Sequence, residues 1–526
     1  MTNYLNKKYI YNFLRSILLL FIILLLIKVD FRLEPEVYCC SDDFDYFSHA
    51  ETIAVDFDFN YDNQLGDYKY ERFYKNNKSA PLGFVGSGLL AAPFLFIGNL
   101  LDKFVDTNQF VSFKLFLYSF SSIFYLLFSI HYLLKIKNII YPTFKNIHLI
   151  ILFLGSGISY YAFERFSMTH VYEVFTVTMI SYFSIKGAAD KDGKNKNLIY
   201  LSLFTFLSLN VRWVNYFIFL IPIFLPQIIN KEKFNPYKYK IYNFFNLFFL
   251  ILTLFINSRI YGKVTLNPNY VYSSGVLDNS LWIFTDIAKT VKSFFIILFS
   301  QEFGIFYFSP ILFLGLIISI ILFFNSPKNI PVILCNLSFF QIFIIVVIWQ
   351  STAASYGYRY LLCLTPIALI LFLDFYKKLN LNFKNIILNF ALIISVFSFF
   401  STLFFETTYL TQLSIDEQIN SFGTLGKYTQ PQYLKGYIYS LASLNAYLKI
   451  FTTSFLGLVF FNIIFNIISP EIFFNFLSSL GLNMQNDKTV SLLSKYESIN
   501  EIFIILSLFF VFLIFKAITK FINLKN

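Results

Sequence analysis

The residue types most able to do chemistry stand close together near the amino end. They lie in the stretch Cys40-Ser41-Asp42-Asp43-Phe44-Asp45-Tyr46-Phe47-Ser48-His49-Ala50-Glu51. If this stretch is helical, Asp42, Asp45 or Tyr46, and His49 fall on one face, since side chains three to four residues apart stack along a helix. An acid pair just outside a membrane suits a general base that takes the proton of an acceptor hydroxyl. The same acids could equally do no more than solvate the end of a loop. Asp43-Phe44-Asp45 and Asp56-Phe57-Asp58, with Asp62 behind them, also have the acid-x-acid form of a divalent-ion ligand pair. In residues 56–62 the glycine and terminal glutamate of an EF-hand calcium loop are not in place. Residues 56–62 could still hold calcium in another way.

These residues must be positioned by elements of an unusual kind. Of the 526 residues, 57% are hydrophobic and only 13% charged. The apolar residues gather into charge-free runs near twenty long, such as Ile305 to Phe324 and Phe451 to Ser469. That length matches the hydrocarbon layer of a bilayer, where a backbone must satisfy its own hydrogen bonds as a helix. The expected fold class is an all-α polytopic membrane protein with about 12 or 13 transmembrane helices. The net charge of +11 does not point to nucleic acid, because the lysines sit in short linkers between apolar runs. That is the positive-inside pattern. The first run follows Lys7, Lys8 and Arg15 without a small-residue cleavage site, so it reads as a retained helix. Cys39, Cys40, Cys335 and Cys363 show neither metal spacing nor a disulfide framework.

The lysines orient the walk along the chain. With the amino terminus in the cytoplasm, a span at 12–29 leads to an outer loop at 30–80. Residues 82–101 are apolar but carry Gly83, Gly86, Gly88, Pro93 and Gly98, and that many helix breakers suggests a segment lying at the interface or partly re-entrant. Residues 110–134 return the chain inside. Spans at 147–163 and 171–185 meet at an outer turn, Glu164 to His170, and spans at 198–211 and 214–229 meet at Arg212. A span at 242–258 leads to a second outer loop at 259–303. Spans at 304–324, 331–349, 358–376 and 385–405 follow. Residues 406–526 hold a third outer loop, 406–448, and the last spans, at 449–468 and 501–518.

An acid pair followed by a tyrosine, soon after the first span, resembles the opening loop of the GT-C glycosyltransferases. The nearer likeness is to the branch of protein O-mannosyltransferases and the aminoarabinose transferase of lipid A. Ser79-Ala80-Pro81-Leu82-Gly83 before Leu89-Leu90-Ala91-Ala92-Pro93 is similar to that branch's second loop segment. Phe163-Glu164-Arg165-Phe166-Ser167-Met168-Thr169-His170 resembles its turn between the third and fourth spans. Phe299-Ser300-Gln301-Glu302-Phe303-Gly304 with Tyr307-Phe308-Ser309-Pro310 resembles the end of its second long loop. Ser355-Tyr356-Gly357-Tyr358-Arg359-Tyr360, with Pro366 beyond, is like a further outer turn. The chain departs from the family pattern at Asp43, Asp45 and Ala80, where members often carry Glu, Arg and His.

The resemblance implies a GT-C-like catalytic module over residues 1–405, in the cell membrane (the inner membrane of a bacterium) and active on the extracytoplasmic side. The donor would be a polyprenyl-phosphate-linked sugar, and the acceptor a glycan, a lipid or a protein. Asp42 would be the general base, with Asp43 in reserve. Arg359, Arg212 and Arg165, near outer helix ends, would receive the charge growing on the leaving phosphate, because a guanidinium fork binds its oxygens in pairs. Tyr46, His49, Glu164, His170 and Glu302 complete the candidate site. A monophosphate donor has less need of a divalent metal, since arginines can neutralise it, so a catalytic metal is not favoured and no other cofactor is implied. Each arginine also has a plainer use: Arg212 could snorkel, and Arg165 could pair with Glu164 or Glu173 to hold a tight turn.

Two other classes fit a chain of this kind. A transporter or flippase should show an internal repeat with broken midplane helices, and none is visible. A surface-polysaccharide ligase or polymerase places arginines and a histidine in a large late outer loop, whereas residues 406–448 contain neither.

Overall fold

The structure is a computed structural model. It describes residues 11–19, 41–65, 74–105, 112–189, 194–230, 240–268, 271, 287–301, 303–325, 330–349, 356–404, 434–442, 444, 447, 460, 463–465, 467–479 and 501–523. Regular structure among them is helical, apart from one ribbon that pairs Tyr74–Lys75 with Lys78–Ser79. Among the described residues, seven helices are long and apolar enough to cross a membrane, in keeping with an all-α polytopic chain. They are Val85–Asp102, Phe113–Ile140, Asn146–Phe163, Lys240–Tyr261, Arg359–Lys378, Leu381–Phe404 and Ile504–Asn523.

The difference from 12 or 13 spans has identifiable causes. His170–Ala189 and Lys194–Val211 have the length but carry polar and charged residues. The expected span at 304–324 is divided at Ser309 into Ile305–Phe308 and Pro310–Asn325. Most of the expected spans at 12–29 and 449–468, and most of the loop at 406–448, lie outside the described residues.

Five helices frame the site: α1 (Ser41–Glu51), α2 (Val85–Asp102), α3 (Phe113–Ile140), α4 (His170–Ala189) and α5 (Lys194–Val211). Each packs against the next in this order, and α2 also touches α5. Asp102, the last residue of α2, caps α3: its carboxylate accepts from the amides of Phe113 at 2.7 Å and Lys114 at 2.9 Å. Such first-turn amides have no partner within their own helix. Lys114 Nζ then reaches Glu51 Oε1 at 2.9 Å, tying the end of α1 to α3. At the far end of α3, Lys137 Nζ donates to Phe144 O at 3.1 Å and Asn146 Oδ1 at 2.8 Å. Lys377 Nζ donates to Ile140 O at 3.3 Å. The bundle thus has a lysine end and an acid-and-arginine end.

Helix Lys240–Tyr261 shows how its outer surface is finished. Phe244, Leu247, Phe248, Ile251 and Phe255 are exposed along one stripe. A stripe of large apolar side chains left uncovered suits contact with lipid rather than water.

The glycine-rich segment at 82–101 forms one helix from Val85 onward, α2, and its glycines serve contact. A Cβ on Gly88 would come within 2.5 Å of His49 Cβ and 2.8 Å of Ala50 N. On Gly86 it would meet the Asn210 carbonyl carbon at 2.4 Å. Both neighbouring helices can approach α2 only because no side chain stands between. Gly88→Ala is expected to cost about 1–3 kcal/mol by overpacking, outweighing the roughly 1 kcal/mol that alanine gains in an open helix. Thermal unfolding of the purified protein in detergent reads this as a lower midpoint. An unchanged or higher midpoint would mean that α1 is not held through this contact.

Candidate active site

Asp42 and Asp43 both stand in the first turn of α1. Consecutive helix residues point about 100° apart, and here that separates two environments. Asp43 faces inward: its Oδ2 lies 2.7 Å from Arg165 Nη2, and each side chain is only 3% exposed. Asp42 is 45% exposed, and its Oδ2 is 3.7 Å from Arg359 Nη2, too far for a hydrogen bond. Of the two acids, Asp42 is the one open to approach. Asp43, expected as a reserve base, is closed off by its arginine.

The arginines come from separate junctions. Arg165 lies in the turn between helix Asn146–Phe163 and α4, and it crosses to Asp43 rather than serving only its own turn. Arg212 occupies an extended link (φ −166°, ψ 147°) between α5 and the 3-10 helix Trp213–Leu220. Its Nη1 is 3.3 Å from Glu173 Oε1 and 3.3 Å from His170 Nδ1. Arg359 opens the 3-10 helix Arg359–Leu364, after a turn in which Gly357 has φ +59°. That left-handed conformation favours glycine. Arg359 Nη2 donates to Tyr360 Oη at 3.2 Å.

The Tyr360 ring joins two of these groups. The Arg212 guanidinium carbon is 4.6 Å from its centroid and that of Arg359 5.1 Å. Both are within cation–π range. Arg359 Nε is buried without a hydrogen-bond partner among the described residues.

The remaining candidates divide. Tyr46 lies against Gly83, where a Cβ would meet Tyr46 Cε1 at 2.6 Å. Burial, reinforced by the Asp42 charge, pushes its hydroxyl pKa up, so Tyr46 is a neutral phenol. His170 is buried in the ionic cluster, its Nδ1 3.5 Å from Glu173 Oε2. Glu164 is buried in the neighbourhood of the Tyr356 and Tyr437 hydroxyls. Glu302 lies outside the described residues.

His49 engages another part of the fold. Its Nε2 is 3.0 Å from Gly83 O, which can only accept, so Nε2 carries the proton. Nδ1 then accepts from Tyr61 Oη at 2.7 Å. Tyr261 Oη donates to the same carbonyl at 2.7 Å. His49 therefore fastens α1 to the segment leading into α2. Burial lowers its pKa from 6.5 to about 4. As pH falls, the unfolded chain takes up this proton first. The contribution is intact above pH 6.5 and is lost as pH falls towards 4, up to about 3 kcal/mol in all. The thermal midpoint of wild type is expected to fall more steeply over this range than that of His49→Gln. Equal slopes would contradict the assignment.

The acid-x-acid pair at 56–58 is engaged locally. Asp56 Oδ2 accepts from Asn63 Nδ2 at 2.8 Å and from Gln64 Nε2. Asp58 Oδ1 accepts from Thr52 Oγ1 at 3.1 Å and Asn60 N at 3.0 Å. Among the described residues, no group of three or more His, Cys, Asp or Glu side chains is placed to hold a metal ion.

Sequence reasoning missed two members of the cluster. Glu173 entered only as a local partner for Arg165, although an acid inside an apolar run was itself a signal. Tyr360 was marked only by adjoining Arg359. Comparison with protein-family models, curated proteins and solved structures finds no match to this chain.

Proposed function

We propose that this chain is an integral-membrane glycosyltransferase of GT-C type. It moves a sugar from a polyprenyl-phosphate donor to an acceptor hydroxyl on the extracytoplasmic side. The observation that carries this reading is the half-exposed Asp42 carboxylate beside Arg359, whose Nε is a buried donor without a partner among the described residues. Asp42 takes the acceptor proton as the acceptor oxygen bonds to the anomeric carbon from the face opposite the phosphate. The bond from that carbon to the phosphate oxygen breaks, and the lipid phosphate leaves with one more negative charge. Arg359, with Arg212 on the same tyrosine ring, is assigned to receive that charge. Arg165, paired with Asp43, is assigned to hold α1 rather than to bind phosphate.

The test is to supply the purified protein with radiolabelled polyprenyl-phosphate sugars and a membrane extract as the acceptor pool. Label is expected to move into an acceptor as free polyprenyl phosphate appears, with inversion at the anomeric centre. Absence of transfer from every such donor would contradict the proposal.

A further inference from the structure

We infer that Glu173 is a positioning residue for the donor phosphate, acting on Arg359 through Arg212 and Tyr360. The inference rests on the transferase reading above. Glu173 is buried in the first turn of α4, where the helix amino end favours an anion. Its Oε1 accepts from Thr169 Oγ1 at 3.1 Å and from Arg212 Nη1 at 3.3 Å. The carboxylate is thereby fixed on one side and grips Arg212 on the other. Arg212 lies over the Tyr360 ring, and the Tyr360 hydroxyl accepts from Arg359 Nη2 at 3.2 Å. Each link is a direct contact between buried or nearly buried groups, and the far end is the guanidinium beside Asp42.

Electrostatics gives this chain its purpose. Arg212 and Arg359 share one ring, so two like charges sit close together in a site of low polarity, where they repel. Glu173 offsets one of them and leaves Arg359 the cation least committed to an acid. Without the carboxylate, Arg212 is expected to swing from the ring or draw on Asp42. Either shift moves Tyr360 and releases Arg359 from its orientation. A merely structural Glu173 would neutralise a buried arginine and have no separate connection to Arg359.

The experiment measures binding of polyprenyl phosphate to the purified full-length protein by native mass spectrometry, with the thermal midpoint recorded in parallel. Glu173→Gln is expected to weaken binding about tenfold, and to weaken it no further when Arg359→Ala is already present. Unchanged affinity in Glu173→Gln, or an equal loss in both backgrounds, would overturn the inference while leaving the transferase reading in place. A wild type that does not bind polyprenyl phosphate would overturn that reading, and the inference with it. Should Glu173→Gln fail to fold, Tyr360→Phe takes its place, since it keeps the ring and removes only the hydroxyl that holds Arg359. It is expected to weaken binding several-fold with Arg359 present and not in its absence. Unchanged binding there would equally overturn the inference.

Discussion

Asp43→Asn is expected to destabilise the protein by about 3–5 kcal/mol, the cost of leaving a buried charge without its partner. Asp42→Asn, one residue earlier and of identical chemistry, is expected to cost less than about 1 kcal/mol, as for an exposed and loosely paired acid. The contrast follows from the two contacts. Asp43 and Arg165 meet at 2.7 Å with almost no exposure, whereas Asp42 is 45% exposed and 3.7 Å from Arg359. Asparagine fills the same volume as aspartate, so packing contributes little to the difference. Thermal or denaturant unfolding of both variants in the same detergent measures it. Equal losses would contradict the assignment of Asp43 to the fold and Asp42 to the surface of the site.

Much of the helical frame was legible in the sequence because lipid restricts the choices. The turn from Glu164 to His170 falls between helices ending at Phe163 and starting at His170, and Arg212 separates α5 from the next helix. Apolar run length and lysine position were enough for both. The use of the glycines in α2 was not legible, because glycine breaks an isolated helix but also admits a neighbour at close range. Only the packing of His49 and Asn210 against Gly88 and Gly86 distinguishes the two uses. The candidate cluster was legible as a set of charged residues and not as a set of pairs. Arg165 is 122 residues from Asp43 and much nearer in sequence to Glu164 and Glu173, so local spacing favoured the wrong partner. His49 shares a helical face with Asp42 on paper, yet its ring is taken by Tyr61 and Gly83. Periodicity assigns a face, and it cannot say what stands opposite.

Asp42→Asn is expected to lower the rate of sugar transfer by about 10²–10⁴-fold, the range for removal of a general base. The amide keeps the shape of the carboxylate but cannot accept the acceptor's proton. Asp43 cannot substitute, because its charge is bound to Arg165 within the protein. Donor affinity should change little, since the phosphate is assigned to the arginines. The loss therefore belongs in kcat. A variant with a raised KM for the donor and an undiminished kcat would instead place Asp42 in binding.

The most direct measurement is single-turnover transfer from a radiolabelled polyprenyl-phosphate sugar by wild type and Asp42→Asn, using samples with matching thermal midpoints. The account predicts transfer by wild type and a loss of at least about 100-fold in the variant. Transfer at the wild-type rate by Asp42→Asn, with folding unchanged, would contradict it.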